Sequence, residues 1–428
     1  MRRLIAWIAR GASFFLFWRV EIVGRDEVER GRPTLLVANH FNGFVDPVVI
    51  GGALGRLPRF IAKATLTDVP GVGPLLRSVG VVFVQRRQDG EGAGENRSAF
   101  HECHEALDRG DTVCIFPEGT THDRPHLDPI RTGAARIAIG ARAAGVTGPV
   151  IIPVGLTYPD KLAVRSSVLV DFGAPIDVAE VVPADAGEDD HDAVHALTEA
   201  IHAGLRAVSP DFEDTVDRLT FELAAEIATR DETGASSLID RSRAARAVAM
   251  APPAEREAVR SAMGRYASLL TALRLTDAEV AGRTTSASVL WSAVVAGFWV
   301  AVLGSLVLAT AVVNVVPFLL VFAASLRTTT PVTKGTVRVL VGLVAFPAAW
   351  LIGGIVAVDG VGPVLLAVLL AAGGAAAAVA LVERAVLFAR RVAAWYVTRQ
   401  REVAIEALED VRADVTRVVA SAGGVDGA

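Results

Sequence analysis

The residues best equipped for chemistry lie in one short run, Val37-Ala38-Asn39-His40-Phe41-Asn42-Gly43-Phe44-Val45-Asp46-Pro47. An imidazole titrates near neutral pH, so His40 can take a proton from an alcohol. A carboxylate on the second ring nitrogen would fix the tautomer and stabilise the imidazolium that forms. His40 and Asp46 are separated by the five residues Phe41–Val45, close enough to meet if the loop bends back at Asn42-Gly43. A plainer assignment stands beside this one: Asp46 as a helix N-cap with Pro47 at the first helical position, and His40 as a hydrogen-bonded histidine at a strand end. The two are compatible for Asp46, which can cap with one oxygen and meet the imidazole with the other.

Three further segments carry functional groups. Phe116-Pro117-Glu118-Gly119-Thr120 follows an apolar run; a strand ending in Pro and Gly turns tightly, and its backbone N–H groups can converge on an anion. Glu118 suits the ordering of neighbouring cationic or hydroxyl groups. Gly80-Val81-Val82-Phe83-Val84-Gln85-Arg86-Arg87 puts two guanidiniums at a strand end, where they fit a phosphate or are simply solvated. Val150-Ile151-Ile152-Pro153-Val154-Gly155 is a strand whose internal proline points to an edge or a bulge. Other groups lead nowhere. His101-Glu102-Cys103-His104-Glu105 spreads metal-ligand types over more than one helix face, and His122-Asp123-Arg124-Pro125-His126 could hold a metal but reads first as a polar loop. Gly71-Val72-Gly73-Pro74 lacks the third glycine of a dinucleotide fingerprint, and no serine elbow points to a covalent intermediate.

These groups need a scaffold. Apolar runs at Thr34–Ala38, Phe60–Ala62, Val79–Val84, Thr112–Phe116, Val150–Thr157 and Val168–Phe172 read as buried strands, with helical patterns such as Arg97–Arg109 and Arg131–Ala144 between them. Strands alternating with helices make a largely parallel sheet covered by helices, and a histidine at a strand's carboxyl end then faces the ligand crevice. Residues 20–178 are thus expected to form an α/β domain. An acidic loop, Ala184–Asp192, lies within a following helical appendix, 179–285.

Composition sets the remaining bounds. The chain has 428 residues, 52% hydrophobic and 21% charged, with a net charge of −5. Whole-chain disorder is excluded, and the charge balance suggests no nucleic-acid partner. Cys103 and Cys114 are the only cysteines, too few for a disulfide scaffold or a four-thiolate zinc site. Residues 1–19 read as an interfacial membrane anchor, with Trp7, Phe14, Phe15, Phe17 and Trp18 at the headgroups and Arg2, Arg3 and Arg19 on anionic lipid. No charged residue falls in the 43 residues between Arg283 and Arg327, about twice the ~20 needed to cross a bilayer. A hairpin turn at Asn314 and Pro317, followed by Val339–Val358 and Val361–Val382, gives about four transmembrane helices over 286–382. Arg327, Lys334, Arg338, Arg384, Arg390 and Arg391 place their loops in the cytoplasm, and 383–428 is a cytoplasmic helix and tail.

In this order and spacing, the four segments resemble the glycerophospholipid acyltransferases, the PlsC-like enzymes, over roughly residues 30–175. The resemblance implies an α/β acyltransferase domain with a mixed, largely parallel sheet, followed by a helical appendix and a C-terminal transmembrane region. It makes His40 and Asp46 the catalytic pair. It assigns substrate binding to Asn39, Lys63, Arg86, Phe116, Pro117, Glu118, Gly119, Thr120 and Arg131, with Pro153 lining the acyl site. The usual family spacing is His-x4-Asp, one residue shorter than here; this and Tyr266-Ala267-Ser268-Leu269-Leu270 followed by Leu275-Thr276-Asp277 resemble members that acylate glycerol 3-phosphate or dihydroxyacetone phosphate. The implied reaction, a step of phospholipid biosynthesis, moves a fatty acyl group from acyl-CoA or acyl carrier protein to a hydroxyl of glycerol 3-phosphate or a related acceptor, without cofactor or metal, in a multi-pass protein of the cell membrane whose catalytic domain faces the cytoplasm. The alternatives are a lysophosphatidate acyltransferase and a non-catalytic lipid-binding protein. A transporter is disfavoured, because 286–382 holds one carboxylate, Asp359 at a turn, and no polar relay at depth.

Overall fold

The computed structural model describes the chain outside residues 1–9, 12, 14–15, 69–71, 86–92, 161–164, 232–234, 282–284, 329–330, 401 and 424–428. It divides into two compact units, Met1–Thr215 and Val216–Ala428. The anchor assigned to residues 1–19 lies mostly outside the described residues.

The first unit is built on an eight-stranded sheet: β1 (Phe17–Val23), β2 (Thr34–Ala38), β3 (Arg59–Lys63), β4 (Val82–Val84), β5 (Thr112–Ile115), β6 (Val150–Thr157), β7 (Ser166–Phe172) and β8 (Ile176–Asp177). The order across the sheet is β1-β7-β6-β2-β5-β3-β4, with β8 also paired to β6. Pairing is parallel except where β6 meets β7 and β8. The central sequences, TLLVA, TVCI and VIIPVGLT, are near-continuous apolar runs, as a sheet buried on both faces requires. Helices α1 (Val45–Leu54), α2 (Val72–Ser78), α3 (Ala93–Asp108) and α4 (Gly133–Ala143) fill the crossovers, and α5 (Val178–Val181) and α6 (His191–Val208) follow the last strand. One face of the sheet, with Leu35, Val37, Val113 and Ile151, packs on Leu107 of α3, Ile137 of α4 and Leu197 and Ile201 of α6.

Two features of this sheet differ from expectation. Phe17–Trp18–Arg19, placed in the anchor from sequence, belong to β1, which runs parallel to β7. Its mixed sequence FWRVEIV hides it from a reading of apolar runs. Pro153 marks neither an edge nor a bulge, because β6 is central. On one side β6 follows β2 without a break, through Val37↔Pro153. On the other it pairs β8 at Val150–Ile151 and β7 from Val154 onward, and Gly173 N–H donates to the Pro153 carbonyl in the gap (2.8 Å). The proline nitrogen faces that same handover, where a missing N–H costs no ladder bond. Gly155 is required for a different reason: a Cβ there would sit 2.0 Å from the carbonyl oxygen of Val208, which α6 lays on the strand.

The second unit is helical: α7 (Thr215–Ala228), α8 (Leu238–Met250), α9 (Pro253–Leu273), α10 (Asp277–Ala281), α11 (Ser286–Leu326), α12 (Pro331–Ala357), α13 (Val361–Gln400) and α14 (Glu402–Ala422). Buried Asp277 ties α14 in place. It accepts from Arg230 Nε (2.6 Å), Arg412 Nε (2.8 Å) and the Tyr266 hydroxyl (2.8 Å), so its charge is compensated on both oxygens, as burial demands.

Among the described residues, three helices, within α11, α12 and α13, are long and apolar enough to cross a membrane, where sequence suggested about four. The expected hairpin at Asn314 and Pro317 does not form: α11 runs unbroken for 41 residues with Pro317 inside it. Asn314 is instead an interhelical tie. Its amide donates to Ala371 O of α13 (3.0 Å), and its Oδ1 accepts Trp350 Nε1–H of α12 (2.8 Å). In an apolar surrounding such a side chain must find partners, and it finds them across helices. Contacts of Thr310 with Gly374, Arg384 with Trp299, and Arg391 with Ser292 run in opposite directions along α11 and α13, so these two helices are antiparallel.

Candidate active site

The β2 strand delivers Asn39 and His40 at its carboxyl end, and α1 begins five residues later. Asn42 C=O accepts from Val45 N (2.7 Å) and Asp46 N (3.1 Å), which closes the first turn. Asp46 is therefore inside the helix, with Phe44 at the N-cap position and no side-chain cap. The sequence-based N-cap role is thus not taken up. The carboxylate is turned back over the loop: Oδ2 meets His40 Nδ1 at 2.9 Å and accepts Asn42 N–H at 2.8 Å, while Oδ1 accepts the Tyr158 hydroxyl at 2.7 Å. Asp46 is 0% exposed and the His40 side chain 16%. With its proton on Nδ1 facing the carboxylate, the His40 ring keeps the Nε2 lone pair for an incoming hydroxyl.

Two other elements fix the imidazole. Phe116, after β5, stacks on it with centroids 4.0 Å apart and planes at 18°, and Phe60 of β3 lies parallel to Phe116 at 6.4 Å. Glu118, fully buried, accepts His40 N–H at Oε1 (3.0 Å) and pairs with His122 Nε2 at Oε2. His122 N–H in turn donates to the His40 carbonyl (3.3 Å). Both backbone groups of His40 are thereby held by the loop after β5. Asn39 acts in the same manner toward β6, donating to Leu156 O (3.0 Å) and accepting from Leu156 N (2.7 Å).

These bonds revise several assignments. Asn39 and Glu118, expected to bind substrate, have their side-chain groups committed to protein partners, and Phe116 is the floor beneath the imidazole. Pro117 C=O accepts Arg131 N–H (2.9 Å), so Arg131 stands beside the turn. Gly119 has φ +70, and a Cβ there would lie 2.9 Å from Arg131 Nε; glycine serves both the turn and the close approach. Thr120 and the Arg131 side chain are exposed at this turn, and Lys63 ends β3, half-buried. Pro153 stands apart, since a Cβ on Gly204 of α6 would be 2.6 Å from its Cγ; it packs beneath that helix. Arg86 lies outside the described residues.

Sequence reasoning missed Tyr158 and misread His122. The latter is not in a solvated loop: its side chain is 4% exposed. Together with Glu118 and Asp128 it brings three ligand-type atoms within 4.8 Å. Its Nδ1 accepts Arg124 N–H (3.2 Å), so the ring's proton is on Nε2, the nitrogen facing both carboxylates. A cation there would require an imidazolate, and Asp128 Oδ1 already meets Arg124 Nη1 (2.9 Å). Glu118 and His122 thus clamp the His40 backbone, with Asp128 Oδ2 4.0 Å from the same His122 nitrogen.

Residues 19–157 match the family model Acyltransferase. The chain is 33% identical over 163 residues to a lyso-ornithine lipid O-acyltransferase of Brucella abortus, covering 37% of this chain and 56% of that protein. It is 34% identical over 118 residues to glycerol-3-phosphate O-acyltransferase 1 of Saccharomyces cerevisiae, 27% of this chain and 16% of that one. Human 1-acyl-sn-glycerol-3-phosphate acyltransferase beta is 24% identical over 204 residues, 47% of this chain and 69% of the human protein. Among solved structures, the 1-acyl-sn-glycerophosphate acyltransferase PlsC from Thermotoga maritima matches with a TM-score of 0.34 and 23% identity, covering 47% of this chain and 77% of that one.

Proposed function

We propose that residues 19–157, which carry an acyltransferase-family domain, transfer a fatty acyl group from a thioester to the hydroxyl of a glycerol phosphate or lysolipid acceptor. The observation that carries this reading is the 2.9 Å contact between His40 Nδ1 and buried Asp46, which leaves Nε2 toward solvent beside the Phe116–Thr120 turn. His40 Nε2 takes the acceptor's hydroxyl proton as the oxygen attacks the thioester carbonyl, and Asp46 stabilises the imidazolium. The tetrahedral intermediate collapses with loss of the thiolate, which receives the proton back from His40. A thiol ionises near pH ~8.5, so this leaving group needs no strong acid. The donor is acyl-CoA or acyl carrier protein, and the catalytic domain faces the cytoplasm at the cell membrane.

Glycerol 3-phosphate is the first acceptor proposed, on the His-to-Asp spacing. A lysolipid acceptor is the second reading. It is favoured by relatives whose names specify lysolipids and which match over longer stretches, 163 and 204 residues against 118 for the yeast glycerol-3-phosphate enzyme. The deciding experiment follows free thiol released from acyl-CoA by the purified chain with glycerol 3-phosphate, lysophosphatidate and lyso-ornithine lipid side by side. His40→Ala is expected to abolish release with every acceptor while the folded yield holds. Turnover surviving that substitution would mean that another group is the base.

A further inference from the structure

The Asp46 carboxylate is wholly buried and receives donors from three directions: the His40 ring, the Asn42 backbone and the Tyr158 hydroxyl. The third lies 112 positions away in sequence, just past the end of β6. We propose that Tyr158 is a positioning residue for the acyl transfer: acting through Asp46, its hydroxyl sets how strongly the carboxylate holds the His40 imidazolium. This rests on the reading of His40 as the base.

Three observations support it. The sheet, not a mobile loop, sets the distance: Asn39 is locked to Leu156 by two hydrogen bonds, which fixes the end of β6 against the end of β2 only two residues before Tyr158. The ring is buried, 6% exposed, with the Phe17 ring of β1 at 5.8 Å. Burial and the Asp46 charge push the phenol well above its ordinary range, so it remains a donor wherever the histidine works. A donor on Oδ1 does two things. It fixes the carboxylate rotation that aims Oδ2 at His40, and it draws off charge that would otherwise act on the imidazolium. Also facing the pair are Cys114 of β5, whose thiol burial pushes far up, and Glu118 and His122, which meet the His40 backbone.

The test compares wild type with Tyr158→Phe, full length, in lipid nanodiscs. Diethylpyrocarbonate labelling of His40, read by peptide mass spectrometry between about pH 5 and pH 9, and thiol release over the same range each give a midpoint. Losing the donor concentrates negative charge on Asp46, so both midpoints are expected to move to higher pH by about 0.5–1 unit. kcat should fall below the midpoint with KM unchanged. In an Asp46→Asn background, Tyr158→Phe should add no labelling shift. A fluorotyrosine at 158, a stronger donor, should move the labelling midpoint the other way, and this arm decides if the Phe variant does not fold. Unmoved midpoints in a folded Phe variant, or a shift that persists in the Asp46→Asn background, would overturn the proposal. A wild type that releases no thiol while the labelling midpoint still moves would sink the acyltransferase reading and leave the coupling standing.

Discussion

Around His40 the surrounding residues divide the labour: Phe116 holds the ring plane, Asp46 the proton, and Glu118 with His122 the backbone. Glu118 provides a test of this division. Glutamine at 118 can still accept His40 N–H with its oxygen, but its amide would then face the Nε2 proton of His122, donor against donor. Glu118→Gln is expected to lower kcat about ten- to hundredfold, since an opposed buried donor costs ~1–3 kcal/mol, with the acceptor KM little changed. A rise in KM alone would mean that Glu118 binds the acceptor directly. The sequence made the chemical types at this site legible, and even the pairing of His40 with Asp46, because that contact is local. It could not show that Asn39, Phe116 and Glu118 support the site from behind. Those roles depend on partners 117 and 78 positions away or on ring stacking, and a motif read in one dimension assigns every conspicuous residue to the ligand.

Elements were legible where their burial is uniform. The strands β2, β3, β5, β6 and β7 stand out as apolar runs, whereas β1 does not, because an edge strand alternates and carries Arg19 and Glu21. The long apolar helices were legible as membrane-compatible but not in number: Asn and Pro mark turns in water, while in α11 one ties three helices together and the other sits within an unbroken helix. Packing of α11 on α13 depends on small residues. A Cβ at Gly374 would fall 1.8 Å from Thr310 Oγ1. Gly374→Leu should therefore push these helices apart and destabilise the membrane unit by about 2 kcal/mol or more, read as a lowered melting transition in detergent. An unchanged transition would mean that α11 and α13 do not touch there.

For the whole chain, the antiparallel run of α11 and α13 puts residues 286 and 395–400 at one end, where Trp395 Nε1–H donates to Ser286 Oγ (3.0 Å). Charged residues of α13 also lie along the start of α11, with Arg384 over Trp299 at 4.5 Å and Arg391 bonded to Ser292 (2.5 Å). These arginines stand beside residues 292–299 of α11, and residues 300–326 alone make about 40 Å of helix, enough for one tilted crossing of the ~30 Å hydrocarbon. Cysteines placed at Thr285 and Arg399 are expected to label from the same side of sealed vesicles with a membrane-impermeant maleimide. Labelling from opposite sides would contradict the antiparallel pair. The native thiols should stay silent: both are buried, and burial raises Cys103 to about 12 and Cys114 further.

The strand β6 hands its partner over at Pro153, locks Asn39 at Leu156 and ends just before Tyr158, so three tasks share one register. A residue added at Thr147–Gly148, exposed in the bend that follows buried Val146, would be absorbed before the strand begins. The same residue added between Ile152 and Leu156 would exchange the two faces of everything after it, and Asp46 would lose the Tyr158 hydroxyl. Length variation in this domain is thus tolerated or forbidden within the space of a few positions.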